Sequence, residues 1–378
     1  MRQPELLRGP AGGQVSEAAR EQAFEELLNP ATPVSNVIGF GHGIKWTDGA
    51  PTGQEATLIF VTQKLPESSL SSHDVVPSQM VDGTPTDVVA LGHVVAQQLL
   101  TGREHVVRHA DRSESYGRQL DEQMAVEAPA AAEVEPQLLR RRLRPCPAGA
   151  SIGNVAITAG TLGSVVYDFL PGATTTPPGA GIGAPPRFYV LSNNHVIAAS
   201  NAAPIGSSIV QPGPFDGGTD PQDRIATLTR FIPIQFAPQV PVTQHNNVVD
   251  AGIGQCDFAD ATRETYFSSA PRAWRRKANV AVGDLVKKTG RTTNFTVGRI
   301  ISVDATVDVG YGPAGVARFR DQIVTTNISA GGDSGSLVTS LDNVAVGLLF
   351  AGSSQATIVN HIENVRALLR IEVAETLA

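Results

Sequence analysis

Charge and aromatic rings are scarce in this chain: 17% of its residues are Asp, Glu, Lys or Arg, and 5% are Phe, Trp or Tyr. Long-helix proteins and coiled coils carry a dense, periodic charged surface, so that class is excluded. A basic excess is also missing. Against 29 Lys and Arg stand 36 Asp and Glu, a net charge of −7 with histidine neutral, which gives a phosphate backbone no cationic footprint and excludes nucleic acid as the default partner. No run approaches the ~20 apolar residues that cross a bilayer as a helix, so no membrane partner is expected. The opening MRQPELLRGPAGG lacks the apolar core of a secretory signal, and a cytoplasmic location is the expectation. Two cysteines, Cys146 and Cys256, are too few for a disulfide framework. They could form one bridge, but a reducing compartment favours two separate thiols. No cysteine and histidine spacing fits zinc, and no cofactor is implied.

Glycine and proline are plentiful, at 37 and 26 of 378 residues, which suits a turn-rich β protein of two or three domains. Residues 14–28 place Val15, Ala19, Phe24, Leu27 and Leu28 at near-helical spacing before Asn29-Pro30, a short amphipathic helix. Two β-rich runs follow at 34–46 and 56–65, separated by Asp48-Gly49 and Pro51-Thr52-Gly53, and a third at 84–94. Residues 1–100 therefore read as a small α+β domain. His42 and Asp87 are its most reactive-looking side chains, although polar residues beside strands are ordinarily solvated edges.

From 101 to 147 the pattern gives way to charge and small residues, ending in the basic run Arg140-Arg141-Arg142-Leu143-Arg144. Such a stretch buries little apolar surface and reads as a linker or surface arm, open to self-processing. After Pro147 comes a succession of short apolar runs punctuated by glycine, which argues a sandwich or barrels over 148–378. Ile362, Val365, Leu368 and Leu369 mark one face of a closing helix.

The sharpest chemical signal is Gly331-Gly332-Asp333-Ser334-Gly335-Ser336. A serine between glycines can sit on a tight turn whose N–H groups converge, as the oxyanion of acyl transfer requires. Ser334 is the candidate nucleophile. It needs a base and a carboxylate to hold that base in one tautomer. His195 stands where the apolar run Tyr189-Val190-Leu191 turns polar, a strand end opening on a cleft, and Asp250 closes Asn246-Asn247-Val248-Val249 at a junction with small residues that can shield it from water. His245 is nearer to Asp250 in sequence but reads as a surface residue. Asp216, Asp220 and Asp223 look like a calcium loop yet lack the closing glutamate of an EF-hand, so a solvated loop is favoured.

The order His195, Asp250, Ser334, with Gly332-Asp333-Ser334-Gly335, resembles the chymotrypsin-like (trypsin-like) serine peptidases. Ser192-Asn193-Asn194-His195-Val196 is most similar to the bacterial high-temperature-requirement branch, and the chain also resembles plant narrow-leaf proteins and their bacterial relatives. Asp250-Ala251-Gly252-Ile253 and Lys288-Thr289-Gly290-Arg291-Thr292-Thr293 carry the likeness further, over roughly 148–365. Gly252 stands where alanine is commoner and Ser336 where glycine is usual.

The resemblance implies a mainly β fold, a chymotrypsin-like double β-barrel preceded by the α+β domain, and a serine endopeptidase acting through an acyl-enzyme on protein or peptide substrates. It implies His195, Asp250 and Ser334 as the triad and the N–H groups of Gly332 and Ser334 as the oxyanion hole. Ile328, six before the nucleophile, would floor the specificity pocket, with Leu349, Phe350 and Ala351 as its wall. An apolar floor leaves a lysine or arginine unpaired, so cleavage after uncharged residues is expected. The alternative is a silent peptide-binding or scaffold protein whose cleft is occluded by the N-terminal domain or the arm. Assembly into a homo-oligomer is compatible with the sequence.

Overall fold

The computed structural model describes residues 6–97, 138–157, 159–168, 188–257 and 259–374. The helix expected near the N-terminus forms as α1 (Glu17–Gln22) continued by a π-turn (Ala23–Leu27). Ser16 caps it by accepting from the Ala19 N–H at 3.1 Å, as N-cap serines do. Strands β1 (Val37–Thr47) and β2 (Ala50–Val61) make a hairpin in which Thr47 pairs with Ala50. Asp48 and Gly49 have φ of 50° and 75°, the left-handed pair that a two-residue hairpin turn demands. Strand β2 thus begins at once and takes in Pro51-Thr52-Gly53, which the composition had assigned to a loop. Strand β3 (Thr86–Ala90) runs parallel to β2, and the short β4 (Val95–Ala96) follows.

The next strands are β5 (Cys146–Ala148), β6 (Ser151–Asn154), β7 (Gly160–Thr161), β8 (Ser164–Asp168), β9 (Phe188–Ser192), β10 (Ser208–Val210), β11 (Arg224–Phe231) and β12 (Gly252–Cys256). After them come β13 (Ala261–Thr265), β14 (Ala273–Trp274), β15 (Leu285–Gly290), β16 (Asn294–Gly310), β17 (Val316–Thr326), β18 (Leu337–Ser340), β19 (Val344–Gly352), β20 (Ala356–His361) and β21 (Ile371–Glu372). A single helical turn, α2 (Asn194–Ile197), follows β9, and α3 (Ile362–Leu369) follows β20.

Strands β15, β18, β19, β20, β17 and β16 pair in that order, and β16 pairs back to β15, so six antiparallel strands close into a barrel. Its interior is filled by Val286, Ile300, Ile323, Val338, Val346, Leu349 and Val359. The other half is an eight-stranded sheet in the order β21-β8-β9-β12-β11-β10-β6-β7, around Ile152, Leu162, Val190, Ile209 and Leu228. Tyr189, Leu191, Ala251 and Ile253 of this sheet pack against Leu337, Ala345 and Leu348 of the barrel, and α3 lies across the seam with Ile362, Val365 and Leu369 buried. Leu368, expected on the same face, points outward at 47% exposure. This mainly β arrangement is the chymotrypsin-like architecture that the motif order implied.

The strands of residues 6–97 share a sheet with the barrel. β16 is 17 residues long; its first half pairs with β15, while Ser302 to Val307 pair with β1. Residues 101–137 of the expected linker, and with them the stretch suggested for self-processing up to that point, lie outside the described residues. The basic run beyond is docked: Arg142 pairs with Asp223 at 3.0 Å, and Arg144 donates to the carbonyls of Gln211 and Asp223 at 3.2 and 3.1 Å.

Candidate active site

The seam between the sheets collects the chemistry. Strand β9 ends at Ser192, and this residue and the next two are held by their own polar side chains. Ser192 Oγ donates to the Thr161 carbonyl at 2.8 Å, Asn193 Nδ2 to the Asp250 carbonyl at 2.7 Å, and Asn194 Nδ2 to the Ile232 carbonyl at 2.8 Å. Three buried polar groups thus fix the turn that carries His195 and tie it to the strand end that carries Asp250.

The His195 imidazole and the Asp250 carboxylate are fully buried. His195 Nδ1 and Asp250 Oδ2 are 2.5 Å apart, and Oδ1 accepts from the His195 backbone N–H at 3.1 Å. A carboxylate only accepts, so Nδ1 carries a proton, and in the neutral imidazole Nε2 is the nitrogen that holds the lone pair. Nε2 has no hydrogen-bond partner among the described residues. Tyr311 completes the group by donating from Oη to Asp250 Oδ2 at 2.8 Å. Burial, with the Asp250 charge adding to it, pushes the Tyr311 phenol well above its ordinary pKa, so it remains a donor.

Ser334 sits on the loop between β17 and β18, between two glycines in the left-handed region, Gly332 at φ 95° and Gly335 at 94°. At Gly335 a Cβ would come within 2.2 Å of Ser192 Oγ and 2.3 Å of the Thr161 carbonyl oxygen, so only glycine lets this loop lie on the opposite sheet. The Ser334 carbonyl accepts from the Thr161 N–H at 2.8 Å. Its hydroxyl donates to the Phe350 carbonyl at 3.1 Å and makes no hydrogen bond to the imidazole.

The loop is held from below by Asp333. Its carboxylate accepts from the N–H groups of Thr292, Thr293 and Ala330 at 2.8, 3.1 and 3.0 Å, and from the Lys288 ammonium at 3.2 Å. Both side chains of that ion pair are fully buried. Burial pulls the Lys288 ammonium below its ordinary pKa while Asp333 opposes the change.

Of the pocket residues, Ile328 and Leu349 pack inside the barrel. Phe350 and Ala351 belong to a separate cluster with Val94, Ala96, Tyr311 and Phe319, beside the site. Next to Ile328, Ser329 Oγ and Thr357 Oγ1 lie 2.6 Å apart. Gly332, one of the two amides assigned to the oxyanion, donates its N–H at 2.8 Å to the backbone carbonyl of Gln97.

The comparisons with known proteins are narrow. No family model matches the chain. A stretch of 58 residues is 45% identical to "Glutamyl endopeptidase 2" of Streptomyces griseus, covering 15% of this chain and 28% of that protein, so the match spans little more than a quarter of the relative. Among solved structures, Thermobifida fusca Protease A is 14% identical with a TM-score of 0.40, covering 61% of this chain and 98% of that one. A glutamic acid specific serine protease is 19% identical with a TM-score of 0.38, covering 60% and 98%. The strand order, and not these likenesses, establishes the architecture.

Several sequence expectations change. His245 is not a surface residue: it is 1% exposed, its Nδ1 accepts from the Arg318 N–H at 3.1 Å, and its Nε2 faces the Val240 carbonyl at 2.9 Å. The polar run around it misled because the strand that covers it, at Arg318, lies 73 residues further on. Asp216, placed in a solvated loop, is joined to the buried Arg291 and binds the two halves together, with Arg291 Nε 2.8 Å from Oδ2. Asp87 accepts from the Trp46 N–H at 2.8 Å. His42 is buried, its pKa lowered by that burial against the opposing charges of Glu55 and Asp304. Cys146 and Cys256 are free and buried, and burial pushes the Cys256 thiol up to about 12. Tyr311 was missed altogether, since a lone tyrosine after a long strand carries no signal.

Proposed function

We propose that the protein is a serine endopeptidase that hydrolyses peptide bonds through an acyl-enzyme. One observation carries the reading: a buried imidazole has one nitrogen committed to a buried carboxylate and the other without a partner among the described residues, on the turn after Ser192, against which the glycine loop of Ser334 packs. Ser334 Oγ leaves the Phe350 carbonyl, gives its proton to His195 Nε2 and attacks the substrate carbonyl. The N–H groups of Gly332 and Ser334 hold the developing oxyanion, an interaction worth ~3 kcal/mol per donor in such sites. The imidazolium, steadied by Asp250, returns the proton to the departing amine. Water then repeats the sequence on the acyl-enzyme and frees the acid.

We further propose cleavage after uncharged residues, with Phe350 and Ala351 as the pocket wall beside the site, while Ile328 and Leu349, expected as floor and wall, pack inside the barrel instead. The apolar wall and the hydroxyls of Ser329 and Thr357 suit an uncharged or carboxamide side chain and offer a buried ammonium no counter-charge. The likeness to high-temperature-requirement and narrow-leaf proteins and a cytoplasmic setting belong to the same proposal, the latter supported by two unbridged thiols. The test is a peptide library fixed in turn at Gln, Leu, Glu and Lys before the cleaved bond. Gln or Leu peptides should exceed Lys peptides by roughly 100-fold in kcat/KM, and Ser334→Ala should fall to background. Activity in Ser334→Ala would end the peptidase reading, and a preference for Glu or Lys would end the reading of the pocket.

A further inference from the structure

The chain places a segment of itself where a substrate would lie. Val95 and Ala96 of β4 pair antiparallel with Gly352 and Ala351 at the end of β19. The next residue continues the ladder with its nitrogen, as the Gln97 N–H donates to the Phe350 carbonyl at 3.2 Å. Its carbonyl turns the other way, onto the Gly332 N–H at 2.8 Å. The Phe350 oxygen that receives the Gln97 N–H also receives the Ser334 hydroxyl, so nucleophile and Gln97 backbone flank one acceptor. On the far side, the Val94 carbonyl accepts from the Gly310 N–H at 3.0 Å, one residue before Tyr311. A strand serving only to lengthen the sheet needs no carbonyl on the nucleophile loop. A substrate strand added to a sheet edge, with its reactive carbonyl in an oxyanion hole, needs that arrangement.

The side chain agrees. Val94, Ala96 and Gln97 are buried, and the Gln97 carboxamide lies against Gly352, where a Cβ would stand 2.4 Å from Nε2. Any larger residue at 352 would take its place.

We propose that Val94–Gln97 is the acyl side of a built-in substrate, and that Ser334 cuts its own chain at the peptide bond following Gln97. The proposal rests on the peptidase reading above. Ser334 Oγ adds to the Gln97 carbonyl carbon, and the bond from that carbon to the next nitrogen breaks. The nitrogen leaves as an amine with the proton that His195 took from Ser334. One water then hydrolyses the Gln97 ester, leaving a Gln97 carboxylate and a restored Ser334. Because the reactants are held in one molecule, the rate is independent of protein concentration.

The experiment is intact-mass analysis of the full chain during incubation, with the wild type, Ser334→Ala and Gln97→Lys, beside assays with a fluorophosphonate probe and an acyl-Val-Val-Ala-Gln chromogenic peptide. The wild type should yield one fragment ending in Gln97 and one beginning at Gln98, at equal fractional rates over a roughly 100-fold dilution series, as a first-order intramolecular step requires. Ser334→Ala should remain whole even when mixed with wild type, its segment being held in its own cleft, and Gln97→Lys should be cut roughly 100-fold more slowly. A wild type that labels or turns over the peptide yet stays whole at Gln97 overturns self-cleavage and leaves the peptidase standing. Cutting of Ser334→Ala at the same bond also overturns it. A wild type that is neither labelled, active nor cut overturns both.

Discussion

At the scale of single residues, the hydrogen bond from Tyr311 to Asp250 makes the sharpest demand. The phenol does not touch the reacting atoms; it holds the carboxylate that holds the imidazole, which makes it a positioning residue. Tyr311→Phe should lower kcat roughly tenfold with KM unchanged, because an interaction that matters mainly in the transition state is lost. Steady-state kinetics on one peptide checks this, and a rise in KM alone would refute it. His195, Asp250 and Ser334 were legible in the sequence because their neighbours are constrained too: Asn193 and Asn194 must satisfy buried carbonyls, and Gly332 and Gly335 must take a positive φ. Tyr311 and Gln97 were not legible. Each acts through a contact that only the folded chain creates, and neither has a local pattern to mark it.

At the scale of elements, the Ser334 loop depends on the hairpin of β15 and β16. Lys288 reaches Asp333 across 45 residues of sequence, and its removal leaves a buried carboxylate without its cation. Such losses cost about 3–5 kcal/mol. Lys288→Met should show that deficit in urea unfolding and a matching loss of turnover, whereas a well-folded, fully active variant would show that the loop does not need the clamp. Glycine-punctuated apolar runs announced the strands themselves, and the Asp48-Gly49 turn announced its hairpin. What they could not announce was length. β16 pairs with β15, β17 and β1 in succession, and the register that lets one strand serve the barrel and residues 37–47 is settled by partners far away in the sequence.

At the scale of the whole molecule, the seam closed by α3 makes stability depend on acidity. His361, at the junction of β20 and α3, is buried with Nδ1 unpartnered among the described residues. Burial brings its pKa down to about 4, with Asp321 and Glu363 opposing and Lys277 assisting. A histidine depressed in the folded state favours folding above its unfolded pKa of about 6.5. That contribution is lost progressively as pH falls from there toward 4. Urea midpoints should therefore decline over this window, and His361→Gln should flatten the decline. An unchanged slope in that variant would place the acid sensitivity elsewhere.

The central claim, that Ser334 is a nucleophile activated by the His195–Asp250 pair, is tested most directly by mapping the adduct of a fluorophosphonate probe. Peptide mass spectrometry of the labelled wild type should find the phosphonyl group on Ser334 and on no other serine, and Asp250→Asn should label slower by roughly 10⁴-fold. A wild type that takes up no probe, or takes it up at another residue, would contradict the claim.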